Sequence, residues 1–218
     1  MKWFIFTISL IFYLSASAIR ITDTVSGTIL FDNNGFENDV IGIKPSRVTV
    51  GKISTREQDK VIGKETSGPG AFQGTQYAIT SRGPDGSGTI EIRLKSPIRK
   101  TDQSLSCEWA WYIPAGSDAS WGLRGEDNKF KSLWRANDGS FKVFVDKKWE
   151  YKGYYATDEW MECKLDYTFG DKTAVLTVGG GAPIKLEVDT FEGGAREIAG
   201  FFFKHNANTS YYLDGLSK

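Results

Sequence analysis

Apolar and polar residues alternate with a period of two along much of the chain. Ile90, Ile92 and Leu94 alternate with Glu91, Arg93 and Lys95. Phe141, Val143 and Val145 alternate with Lys142, Phe144 and Asp146, and Met161, Cys163, Leu165 and Tyr167 with Glu162, Lys164 and Asp166. Successive side chains of a strand point to opposite faces, so each run predicts a half-buried strand. Leu105, Cys107, Trp109 and Trp111 repeat the pattern, and Phe201–Lys204 and Tyr211–Leu213 predict the last two strands. Turn-forming clusters separate the runs: Asn34-Gly35, Gly83-Pro84-Asp85-Gly86, Asn137-Asp138-Gly139 and Gly179-Gly180-Gly181. No amphipathic helix of about ten or more residues is visible. This spacing predicts an all-β protein, a two-sheet antiparallel β-sandwich or jelly roll.

The N-terminus departs from that pattern. Lys2 precedes an apolar run from Trp3 to Leu14, and Ala16-Ser17-Ala18 matches a small-residue cleavage site. Residues 1–18 are therefore expected to be a signal peptide, and residues 19–218 a single domain that is secreted or periplasmic. No later apolar run reaches the roughly 18 residues of a membrane span, so no membrane insertion is expected. The chain has 27 basic and 27 acidic residues, a balance that excludes a strongly basic nucleic-acid binder. Its 24 glycines against 6 prolines, with many aromatics, fit a turn-rich packed protein.

Cys107 and Cys163 each occupy the apolar face of a predicted strand. In an exported protein they are either one disulfide or two buried thiols acting as small hydrophobes. Their spacing fits no zinc motif, and the one histidine, His205, is expected at an exposed strand end.

Four segments resemble the concanavalin A-like lectin/glucanase sandwich, particularly its laminin-G-like domains. They are Leu30-Phe31-Asp32 with Phe36-Glu37 and Gly42-Ile43-Lys44-Pro45; Asn137-Asp138-Gly139 with Phe141-Lys142-Val143, Trp149 and Tyr155; Asp158-Glu159-Trp160; and Tyr212-Leu213-Asp214-Gly215-Leu216. The first and last are also similar to galactose-binding-like jelly rolls. The resemblance implies two antiparallel sheets and a sugar-binding concave face. It also implies a structural calcium joining the two ends of the chain, with Asp32, Glu37 and Asp214 as ligands. Gly215 stands where the family often has a second acid. Trp160 is expected to begin a strand and pack inside.

The paired carboxylates of related glucanases, Glu-x-Asp-x-x-Glu, are absent. Glu162 and Asp166 share a strand face, but with Lys164 they form the ordinary pattern of a solvated strand. The motifs of related alginate lyases are also absent. Binding is the stronger reading, because sugars offer C–H faces to flat rings and hydroxyls to planar donors. Arg124, Arg135, Trp149, Tyr151 and Tyr154 are the expected ligand contacts, and a polysaccharide or glycoconjugate is the expected partner. The alternatives are a polysaccharide lyase or glycoside hydrolase with an unrecognised site, and a structural or protein-interaction sandwich.

Overall fold

A computed structural model of the chain describes residues 19–33, 36–45, 48, 51–54, 60–63, 68–72, 74–80, 88–99, 104–125, 130–145, 148–168, 173–187, 197–205 and 211–215. The expected signal peptide and the expected turns at Asn34-Gly35 and Gly83–Gly86 lie outside these residues.

The described residues form strands β1 (Arg20–Asp23), β2 (Ile29–Asp32), β3 (Lys52–Ser54), β4 (Lys60–Gly63), β5 (Gln76–Thr80), β6 (Gly88–Arg99), β7 (Ser104–Tyr112) and β8 (Asp118–Gly125). They continue with β9 (Phe130–Asn137), β10 (Ser140–Val145), β11 (Lys148–Tyr154), β12 (Trp160–Thr168), β13 (Thr173–Val178), β14 (Ile184–Glu187), β15 (Glu197–His205) and β16 (Tyr211–Asp214). One sheet runs β14-β13-β12-β7-β16-β5-β4, with β1 and β2 attached; the other runs β11-β10-β9-β8-β15-β6-β3. Every pairing is antiparallel. The molecule is thus the two-sheet β-sandwich that the alternation predicts. No helix among the described residues is long and apolar enough to cross a membrane.

Alternation decides what fills the space between the sheets. Along β12, Met161, Cys163, Leu165 and Tyr167 are buried while Glu162 faces solvent. On β7, Leu105, Cys107, Trp109 and Trp111 point the same way. Trp121 of β8 and Trp134 of β9 meet them from the other sheet. Trp109 stacks on Trp121 with centroids 5.1 Å apart, and Trp111 packs on Trp134 at 4.9 Å. Phe203 of β15 sets its edge against both Trp109 and Trp111, at 5.6 Å. Sheets in a sandwich lie about 10 Å apart, a gap that indole and phenyl rings fill. The four indole N–H groups meet no acceptor in this interior, so the rings act there as apolar plates.

Two backbone features shape the second sheet. Asp138 and Gly139 both have positive φ, 44° and 78°, the geometry of a two-residue type I′ hairpin turn between β9 and β10. At Gly200 a Cβ would fall 2.0 Å from the carbonyl oxygen of Ile92. Only glycine lets β15 approach β6 there, where the register shifts.

Trp160 departs from expectation. It immediately precedes the inward-facing Met161, so alternation turns it to the outer face of the sheet. There it is half-buried, its indole N–H donates to the carbonyl of Gly70 at 3.0 Å, and it packs against Phe72, Tyr77 and Tyr112. It secures the 68–72 segment to the outside of the sandwich and does not lie between the sheets.

Truncating the central indole should cost far more than truncating this outer one. Trp111→Ala is expected to lose about 3–5 kcal/mol in denaturant unfolding, and Trp160→Ala about 1–2 kcal/mol. Equal losses would contradict the placement of Trp160.

Candidate functional site

The outer face of the seven-stranded sheet carries the site. On β9, Trp134 and Ala136 point inward, so Arg135 and Asn137 point outward; on β10, Phe141 and Val143 point inward, so Lys142 and Phe144 point outward. The tight turn at Asp138-Gly139 sets the register, placing Lys142 directly opposite Arg135. Strand β11 then pairs Lys142 with Tyr151 and Phe144 with Trp149, bringing both aromatics to the same face at the sheet edge. The Arg135 guanidinium lies 4.2 Å over the Trp149 ring, whose edge is supported by Phe144 at 5.5 Å.

A depression of about 330 Å³ opens here, lined by Asp118, Ala119, Arg135, Ala136, Asn137, Ser140, Lys142 and Trp149. It combines a flat ring, a planar forked donor, an amide, a hydroxyl, a carboxylate and an ammonium. Those are the groups that hold a polyhydroxylated ring by stacking and hydrogen bonding. Tyr151 and Tyr154 do not line it. They continue beyond it along the edge strand, 49% and 82% exposed, with ring centroids 5.6 Å apart. Desolvation and a hydrogen bond with Tyr154 push the Tyr151 hydroxyl up to about 12, so it remains a neutral donor at ordinary pH.

Of the five expected ligand contacts, the structure thus gathers Arg135 and Trp149 in one depression and sets Tyr151 and Tyr154 beside it. Arg124 is a correction. It lies on the same face but is only 5% exposed, and its guanidinium is ion-paired with Glu91 of β6. Phe202 and Ser120 beside it are also buried, so this part of the face is closed. Asp118, Asn137, Ser140 and Lys142 were not picked out from the sequence. The alternation Phe141-Lys142-Val143 contained the signal for Lys142, and Asn137 was read only as part of a turn.

The acids expected to share a calcium ion do not converge. Among the described residues no three of His, Cys, Asp or Glu form a metal-holding group. Asp32 accepts a two-pronged contact from Arg20, both prongs 3.1 Å long. Glu37 accepts from the Thr75 and Gln76 amides at 2.8 and 2.9 Å and from the Thr75 hydroxyl at 2.6 Å. Asp214 accepts from the amides of Phe72 and Gly215, at 3.0 and 2.8 Å. These carboxylates staple loops to strands, and the set does not fit the six to eight oxygens calcium takes.

The cysteines are free and buried. They occupy neighbouring strands on one face, but Cys107 lies opposite Leu165 and Cys163 opposite Trp109. That diagonal offset places Cα atoms about 7–8 Å apart in general, beyond the usual reach of a disulfide. Burial pushes both thiol pKa values up.

His205 also overturns its expectation. It is fully buried on the parity of Phe201 and Phe203, with its ring edge-on to Tyr211 at 5.8 Å. It therefore faces the interior and not the depression. Glu162 and Asp166 lie on the outer face of the opposite sheet, where Lys164 pairs with Asp166 at 3.1 Å.

No protein-family model and no curated protein matches the sequence. Solved structures do. A sialidase superposes with a TM-score of 0.54 at 8% identity, over 85% of this chain and 18% of its own. The chain thus spans about a fifth of that protein. The alginate lyase AlyC3 gives 0.45 at 12% identity over 92% and 88% of the two chains. The carbohydrate recognition domain of Emp46p in its potassium-bound form gives 0.43 at 14% over 72% and 85%. At these identities the likeness is one of fold: an antiparallel jelly-roll sandwich.

The buried thiols make a testable mark on stability. Their folded pKa values are raised, so their contribution is intact below the unfolded value near 8.5 and declines as pH rises above it. Unfolding free energy should fall by up to about 1.4 kcal/mol per pH unit for each thiol, and Cys163→Ala should remove one share. Ellman's reagent should find no reactive thiol in the native protein and two after unfolding; none after unfolding would reveal a disulfide.

Proposed function

We propose that this protein is a noncatalytic carbohydrate-binding domain of laminin-G-like type, acting outside the cytoplasmic membrane after loss of residues 1–18. The observation that carries the reading is the depression on β9, β10 and β11. There the Arg135 guanidinium lies 4.2 Å over the Trp149 ring, among Asn137, Ser140, Lys142 and Asp118. A flat ring and a planar donor among these polar side chains suit a pyranose, which offers C–H faces and hydroxyls. Tyr151 and Tyr154 extend the surface along β11, as a polymer longer than one sugar would require. The fold shared with a sialidase is compatible with a glycan ligand. Among the described residues, the histidine faces the core and Asp118 is the single carboxylate lining the depression, which favours binding over acid–base chemistry.

A second reading, a protein-contacting sandwich, is favoured by one feature. Val40, Ile41 and Ile43 are each more than half exposed on a loop hydrogen-bonded to Val61 of β4.

Retention on a panel of immobilised polysaccharides, with reducing-end and unsaturated-uronate assays in parallel, separates these readings. The expected result is retention without product, and Trp149→Ala weakening retention at least about tenfold with unchanged melting. Product formation would establish an enzyme. Failure to bind any glycan would favour the protein-contacting reading.

A further inference from the structure

The depression holds two cations that make no ion pair among the described residues. Arg135 and Lys142 stand directly opposite each other on β9 and β10, both exposed. Like charges placed opposite on one sheet face repel and destabilise the pairing. Among the described residues neither makes an ion pair with a carboxylate. Glu150, the nearest acid of β11, opposes the inward-facing Val143 and so points to the other side of the sheet. Lys148 and Lys152 hold it there at 3.3 and 2.9 Å, and the hydrogen bond from Lys152, then that from Lys148, keeps its carboxyl below the usual range. Asp118, opposite Asn137 and diagonal to Arg135, also lines the depression, so its described charged groups sum to one net positive charge.

The surrounding face has the same sign. Lys204 of β15, Arg93 of β6 and Lys52 of β3 point to it, with Arg93 and Lys52 again directly opposed. Glu91 on this face is shared between Arg124 and Arg93, the latter at 3.9 Å. The chain as a whole has equal numbers of acids and bases, so this concentration is local. A face with a positive field and, among the described residues, a pair of cations without an ion-pair partner at its depression suits an anion.

Resting on the carbohydrate-binding reading, we infer that the ligand is an anionic glycan whose carboxylate or sulfate sits between Arg135 and Lys142. Trp149 presents the ring over which the Arg135 fork lies and orients it toward the acidic group. The guanidinium gives a bidentate, geometrically selective contact, and the ammonium a point charge. Tyr151 and Tyr154 then meet the next sugars of the polymer.

Two matched pairs of polymers test this: polygalacturonate against its methyl ester, and dextran sulfate against dextran. Each pair keeps the backbone and removes the charge. The expected result is retention of one or both charged polymers and not of their neutral partners, weakening as salt shortens the Debye length. Arg135→Gln and Lys142→Gln should each weaken that retention about tenfold or more. Lys142→Gln should also leave the melting temperature unchanged or raised, because it relieves the repulsion. Which charged polymer is held separates carboxylate from sulfate. Equal retention of charged and neutral partners would overturn the anionic ligand and leave the carbohydrate-binding reading standing. Retention of none of the four would also overturn the inference, and the wider neutral panel would then decide the carbohydrate-binding reading separately. Charged-polymer binding unaffected by both substitutions would move the anion site elsewhere. A fall in melting temperature for Lys142→Gln would make its charge structural.

Discussion

Indoles crossing between the two sheets hold the sandwich at its working thickness. Trp109 and Trp111 leave β7 on one face, and Trp121 and Trp134 meet them from β8 and β9. Because side chains alternate, fixing Trp134 inward fixes Arg135 outward, and fixing Phe141 inward does the same for Lys142. The core packing and the site chemistry are therefore two sides of the same strands. A register slip of one residue would exchange them, burying two cations and exposing two aromatics. The cost of that exchange is what makes the register unique.

The site lies where the sheet is least buried. β11 is an edge strand, and its Lys148, Glu150 and Lys152 give it the charged character that discourages pairing with another chain. Toward the middle of the same face, Arg124, Phe202 and Ser120 are closed off, and the charge on Arg124 is met by Glu91. Two arginines of this one face thus have opposite fates. Arg124 is buried and ion-paired with Glu91, while Arg135 is exposed, lies over Trp149 and, among the described residues, makes no ion pair.

The opposite side of the molecule uses its polar groups for assembly. Glu37 and Asp214 each satisfy backbone amides of the 72–76 segment, and Trp160 closes over residue 70. Glu37 thereby ties the loop after β2 to the start of β5, and Asp214 ties the Phe72 backbone to the last strand.

The sequence by itself determined the runs that form β6, β7, β10, β12, β15 and β16, and the two-sheet class, because a period of two requires nothing beyond neighbouring residues. It also determined that Trp109 and Trp111 share the face of Cys107. It could not separate Arg124 from Arg135, since the difference is a carboxylate 33 positions away and burial from elsewhere in the fold. Nor could it show that Cys107 and Cys163 sit on a diagonal, that His205 turns inward, or that Trp160 turns outward beneath residues 68–72. Local alternation assigns a face, but strand register and the far side of a sheet belong to long-range packing. The pairing of Arg135 with Lys142 and with Trp149 across three strands was decided there.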